Sequence, residues 1–242
     1  MHRSLIACLE YTKRLIILGA SEVVGILLQS NEEIADQVEN YFVKKDIKDM
    51  GMAVLVLDKV TMNYPKLLDR TSIAMKLGAL FPSMSGITRS ALLKATMRYF
   101  RYVKTAPSYG NVSDLAEFLF RDRSKIVNDS EESHRMALME LLNEAASLHS
   151  NASILKMMGG YLPMIRFFAG ESESIRRMYY SMLRVIYDEA NRTKNNELLD
   201  HSRSGLIKGF ADESSEIRAE CDEFWHARLS QDPLVRVNEV LN

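Results

Sequence analysis

The chain has 242 residues, with 31 Lys plus Arg against 32 Asp plus Glu, a formal net charge of −1, and 47% hydrophobic residues. At about 150 residues per domain this length allows one large domain or two small ones, and the ordinary apolar and charged shares exclude disorder as the global state. Near-neutral charge excludes a generic basic nucleic-acid coat, although it leaves a local patch open.

Five prolines and 11 glycines are too few for many turns and strands, whereas 14 methionines with abundant Leu, Glu, Lys and Arg favour helix. Near the N-terminus, residues 15–20 and 23–28 are apolar but interrupted by Ser21 and Glu22. Their combined length falls short of the roughly 18 residues that cross a bilayer. No small-residue cleavage site follows a basic stretch, so no secretory leader is expected. Cys8 and Cys221 stand too far apart for a disulfide framework, and no Cys-x-x-Cys or Cys/His cluster offers zinc geometry. Buried free thiols are the expectation, in the cytosol or nucleus.

Further along, Ser30-x-x-Glu33 reads as a capping box for a helix that buries Ile34, Val38, Tyr41 and Phe42. Val54, Leu57 and Val60 predict a second helix ending before Pro65, and Ile73, Leu77 and Leu80 a third, stopped at Pro82. A long helix is predicted over 85–104, closed by Thr105-Ala106-Pro107, and another begins near Ser113 with Leu115, Phe118 and Leu119 on one side. No stretch alternates long enough to require a strand, and the pattern predicts about ten or eleven helices: an all-α chain.

A repeat underlies the helices. Residues 133–137, 175–179 and 217–221 align at steps of 42, each behind an acidic, Ser-rich entry, and Leu141, Leu183 and Trp225 follow at one offset. Residues 125–129, 167–171 and 209–213 align alongside them, and 88–92 aligns with 134–138 at a step of 46. A helix pair recurring every ~40–47 residues is the signature of HEAT or armadillo repeats. An α-solenoid of such pairs, with a period of about 42, is therefore expected over 1–242 as one segment, clearest over 113–242. Each pair cannot bury its own apolar face, so neighbours share a continuous core. The acidic entries complement the helix dipoles, and a basic residue one turn later can bond to the adjacent turn.

Catalytic chemistry is missing from the sequence. There is no Gly-x-Gly-x-x-Gly, no phosphate-cradling Gly-x-x-x-x-Gly-Lys-Ser/Thr loop, and no kinase Asp-Phe-Gly with a catalytic-loop Asp and Asn. Gly19 and Gly25 read as packing or kink glycines, and the five histidines are scattered. No catalytic, cofactor-binding or metal-ligating residue is assigned, and no cofactor is expected.

One charged feature stands out. Between Arg70 and Asp114 there is no acidic residue, yet Lys76, Arg89, Lys94, Arg98, Arg101 and Lys104 all occur. On a helix, Lys94, Arg98 and Arg101 fall within an arc of ~60°, opposite Leu92, Leu93, Tyr99, Phe100 and Val103. Such a ridge suits phosphate contact with a DNA backbone, an acidic partner surface, or plain solvation. Of Tyr99, Phe100 and Tyr102, two lie on the apolar side and read as core rather than as base-stacking platforms.

The segment 57–70, Leu-Asp-Lys-Val-Thr-Met-Asn-Tyr-Pro-Lys-Leu-Leu-Asp-Arg, resembles the catalytic subunits of DNA-dependent protein kinase, within the PI3-kinase-related kinases. Residues 18–22 with Gly25 and Leu27-Leu28, then 176–189, 206–213 and 224–229, are similar to the same region in the same order; 85–129 is weaker. The resemblance implies a piece of the central HEAT-repeat cradle of a nuclear serine/threonine kinase that acts in double-strand break repair by non-homologous end joining. It implies as partners the rest of the kinase chain, the Ku heterodimer and DNA ends, and no membrane. The kinase's ATP and metal residues have no counterparts here. A last helix predicted over 234–241 ends on an apolar face, as a fragment of a larger chain would. A free-standing HEAT adaptor for a protein partner, and a DNA-contacting module using Lys94, Arg98 and Arg101, are the alternatives.

Overall fold

The structure, a computed structural model, describes residues 14–44, 50–80, 83–106, 111–165 and 170–229. Among the described residues twelve α-helices and short 3-10 turns make up the regular structure, with no strand. The expectations for Cys8, Pro82, Pro107, residues 167–169 and a helix over 234–241 lie outside the described residues. The chain divides into two compact units, Met1–Met157 and Met158–Asn242.

In the first unit, α1 (Arg14–Ser30), α3 (Met50–Asn63), α5 (Gly86–Val103) and α8 (Glu132–Ala146) pack in series, each on the next. Between them in sequence come α2 (Ala35–Lys44), α4 (Thr71–Leu80) and α6 (Val112–Arg121), with α2 on α4 and α4 on α6. The five-residue α7 (Arg123–Val127) leads into α8, and α9 (Ala152–Ile165) follows it. The result is two rows of helices sharing one core, since an amphipathic helix buries its stripe only against neighbours. Val24, Leu28, Val54, Leu57, Val60, Leu92, Tyr99, Phe100, Leu138 and Leu141 are all buried there.

The second unit contains α10 (Glu173–Thr193), α11 (Asn196–Lys208) and α12 (Ser215–His226). α10 and α11 form a tight pair whose turn passes through Lys194 at φ 56°, a left-handed conformation that ends α10. α12 packs on α10 and on the turn Gly209–Ala211, where a Cβ on Gly209 would lie 2.3 Å from Cys221 Sγ. Cys221 is buried, and burial pushes its thiol up to about 11, so it is an inert core residue. Tyr187, Phe224 and Trp225 pack edge to face, with centroids 5.1–5.6 Å apart.

The local readings stand with adjustments. Ile34, Val38, Tyr41 and Phe42 are buried, but the cap is Asn31, whose side chain accepts from the Glu33 N–H at 3.0 Å. Ser30 Oγ instead donates back to the Leu27 carbonyl, because a short 3-10 turn separates the capping residue from α2. Gly25 is a packing glycine: its Cβ would meet the Val60 carbonyl oxygen at 2.7 Å, fixing the close approach of α1 and α3. Gly19 has open space around it and packs against nothing.

A constant 42-residue period does not hold. α5, α8, α10 and α12 start 46, 41 and 42 residues apart, and α3 and α5 only 36 (50→86→132→173→215). The step varies because the links between paired helices differ in length, while the helix-on-helix contact that makes the core does not require equal links.

Candidate interaction surface

Of the basic run, Arg89, Lys94, Arg98 and Arg101 lie on α5, the helix packed between α3 and α8 within the first unit, and Lys76 lies on α4. Arg98 points back to α3: its Nη1 donates to the Asp58 carbonyl at 2.8 Å, to Asp58 Oδ1 at 2.6 Å and to Thr61 Oγ1 at 3.3 Å. Arg101 points forward to α8, donating to Glu144 Oε1 from Nε at 3.0 Å and Nη2 at 2.7 Å. Lys104 reaches the other oxygen of the same carboxylate. Lys94 is half-buried and makes no ion pair among the described residues. The three ridge residues therefore do not act together: Arg98 and Arg101 clamp opposite neighbours, and Lys94 lies between them.

This arrangement neutralises the acid-free stretch from outside. Burial pushes the Glu144 carboxyl up, but hydrogen bonds from Lys104 and Arg101 outweigh it and hold it below the usual carboxylate value. Tyr99 and Phe100 are fully buried, as their side of the helix requires. The Tyr99 hydroxyl donates to Asp69 Oδ1 at 2.6 Å and accepts the Asn111 N–H at 3.0 Å, which ties the turn before α4 to the start of α6.

A second set of bridges recurs from pair to pair. Arg89 Nη1 donates to the Met84 carbonyl at 2.7 Å, and its Nη2 reaches Asp129 Oδ2 at 3.2 Å, before the next helix. Asp129 Oδ1 accepts the Glu131 N–H at 3.1 Å and lies 2.9 Å from His134 Nδ1. In the second unit Arg176 repeats the pattern on the Glu171 carbonyl at 2.6 Å and on both Asp212 oxygens at 3.0 and 3.1 Å. Asp212 accepts the Ser214 N–H at 2.9 Å. Arg135 and Arg218 each reach back to the carbonyls five and six residues earlier. Each of these helices has an Arg one turn in; Arg135 and Arg218 have an Asp six residues before them, and each of those Asp residues serves an Arg of an earlier helix, Arg89 or Arg176. Between them, six residues before Arg176, stands Gly170.

Both aspartates are held below the usual value. Burial opposes ionisation, but the hydrogen bonds from His134, Glu131 and Arg89 at Asp129, and from Arg176 and Ser214 at Asp212, outweigh it. The sequence anticipates the back-bonding of Arg135 and Arg218 to their own entry turns, marked by an Asp six residues earlier, but not the bridges Arg89–Asp129 and Arg176–Asp212, whose partners lie 40 and 36 residues apart. Asp58 and Glu144 carried no local signal, since each is one acid among many on an amphipathic helix.

An open cleft lies where α5 and α8 begin, lined by Ser85, Gly86, Ile87, Asp129, Ser130 and His134. Its cation and carboxylate already bond each other. Among the described residues no group of three or more His, Cys, Asp or Glu side chains could hold a metal ion, and no helix is long and apolar enough to cross a membrane. The arrangement joins helices and presents a charged outer surface.

A family model described as DNA-PKcs, CC5 matches residues 2–242. The DNA-dependent protein kinase catalytic subunit of Xenopus laevis is 21% identical over 245 residues, which cover 94% of this chain and 6% of that protein. No solved structure matches.

Proposed function

The chain belongs to the DNA-PKcs, CC5 family, and from that premise we propose that it is a non-catalytic scaffold segment of a DNA-dependent protein kinase catalytic subunit. Its helix pairs are read as HEAT-like repeats that hold other parts of the kinase chain in place. The observation that carries the reading is the family match over nearly the whole chain, on a fold whose polar side chains largely bond neighbouring helices. Arg98 and Arg101 belong to that scaffold as clamps, and the DNA-contact role of the ridge is the weaker reading. In the cell the segment works in the nucleus, in double-strand break repair by end joining, with Ku and DNA ends as partners of the whole kinase chain.

An antibody raised against this segment tests it. The expected result is a polypeptide far larger than 242 residues in the nuclear fraction, whose immunoprecipitate phosphorylates a protein substrate only when linear DNA ends are added. A small polypeptide without DNA-stimulated kinase activity would overturn the reading and leave a free-standing adaptor. Glu in place of Lys94, Arg98 and Arg101 then decides the DNA-contact role through retention on DNA at low salt.

A further inference from the structure

We propose that α9 is a yielding joint: its second half, from Gly159 to Ile165, opens locally while the helices before and after it in sequence stay closed. Two backbone defects fall within one turn. Pro163 lies inside the helix and has no N–H, so the Gly159 carbonyl loses its i to i+4 donor, and the proline ring crowds that same carbonyl. Gly159 and Gly160 stand at that turn and have the largest backbone freedom to recover on opening. No other described α-helix combines an internal proline with paired glycines.

The side chains suit a segment that bends without losing its core. Ile154, Met157, Met158, Tyr161, Leu162 and Ile165 are all buried, and the Asn151 cap and the Lys156–Glu117 pair anchor the first half of the helix, ahead of Gly159. Met157, Met158 and Met164 are unbranched and refill irregular space when a backbone shifts. The division of the chain into compact units also falls inside this helix, at Met157 and Met158. Downstream, Gly170 stands before Arg176 where Asp129 and Asp212 stand before Arg135 and Arg218, so the carboxylate of those two positions is missing next to the joint. The inference does not depend on the scaffold reading, because it concerns one helix of this chain.

Amide hydrogen exchange on the intact chain tests it. The amides of 159–162, 164 and 165 should exchange at least about tenfold faster than those in the middle of α8 and α10, since local opening sets these rates. Pro163→Ala, which restores the missing donor, should slow them by about tenfold or more, leaving α8 and α10 unchanged. Equal protection of all three helices in the unsubstituted protein would overturn the proposal even if the variant failed to fold. So would a folded Pro163→Ala variant with unaltered exchange.

Discussion

The two units join their helices with the same chemistry, each at two depths, and the first also carries outer pairs such as Lys66–Glu32 and Lys156–Glu117. In the first unit Arg98 and Asp58 are 22% and 20% exposed, and Arg89 and Asp129 18% and 8%. In the second, Arg176 and Asp212 are as deep, but α10 and α12 are laced mainly by outer pairs. Arg177 bonds Glu173 and Glu216, Arg184 bonds Glu220, and Arg228 bonds Asp188 while stacking over Phe224 at 3.8 Å. Depth decides what such a pair is for. An outer pair is screened by water and salt and adds little, whereas a deep pair costs much to break because a charge is left stranded.

The largest test of this difference is Asp212→Ala. It strands Arg176 and removes the acceptor of the Ser214 N–H, so the second unit should lose about 3 kcal/mol. The chain's single tryptophan, buried Trp225, reports that unit's unfolding by fluorescence. Acid probes the same bridge without a substitution. Asp129, Asp212 and Glu144 are all held below their ordinary values, so their stabilisation is complete above those values and is lost as pH falls through the folded ones. Trp225-monitored urea midpoints should fall below about pH 5, and Asp212→Asn should flatten that slope. A slope unchanged in Asp212→Asn would mean the deep bridge is not what acid breaks.

Asp58→Ala, in the first unit, should cost about 1.5 kcal/mol by removing the carboxylate from the half-buried Arg98, read as a lower denaturation midpoint by far-UV circular dichroism. Glu144→Gln keeps the shape but weakens the hold on Arg101 and Lys104, and about 1 kcal/mol is expected by the same measurement. Smallest is Arg177→Ala, on the outer lace of the second unit, which should leave the Trp225-monitored midpoint unchanged. Half-molar salt should likewise move that midpoint little while Asp212 is intact. A large loss at Arg177 would erase the distinction between depths.

Helix periodicity placed most of the elements. Ile34, Val38, Val54, Leu57, Val60, Leu92, Phe100, Leu141, Leu183 and Trp225 lie in the core where spacing put them, because a 3.6-residue stripe has only one face to bury. The sequence missed Asn31 as the cap and the short α7, and it showed steps of 42 and 46 but not the 36 between α3 and α5. Caps and link lengths depend on where neighbouring helices enter, not on the stripe itself. At the candidate surface, the sequence found the cations of α5 and correctly set Tyr99 and Phe100 apart from them.

By itself, then, the sequence determined the all-α class and the apolar side of each helix, which are properties of spacing within about a dozen residues, and its long repeat indicated that the helices come in pairs. Only the tertiary structure decided what the charges do. Arg98 meets Asp58 from 40 residues away and Arg101 meets Glu144 from 43, distances at which no periodicity constrains a partner. A row of like charges on an isolated helix suits phosphate, an acidic partner or plain solvent alike. Set between two acidic neighbours, it becomes the means by which the helices hold each other.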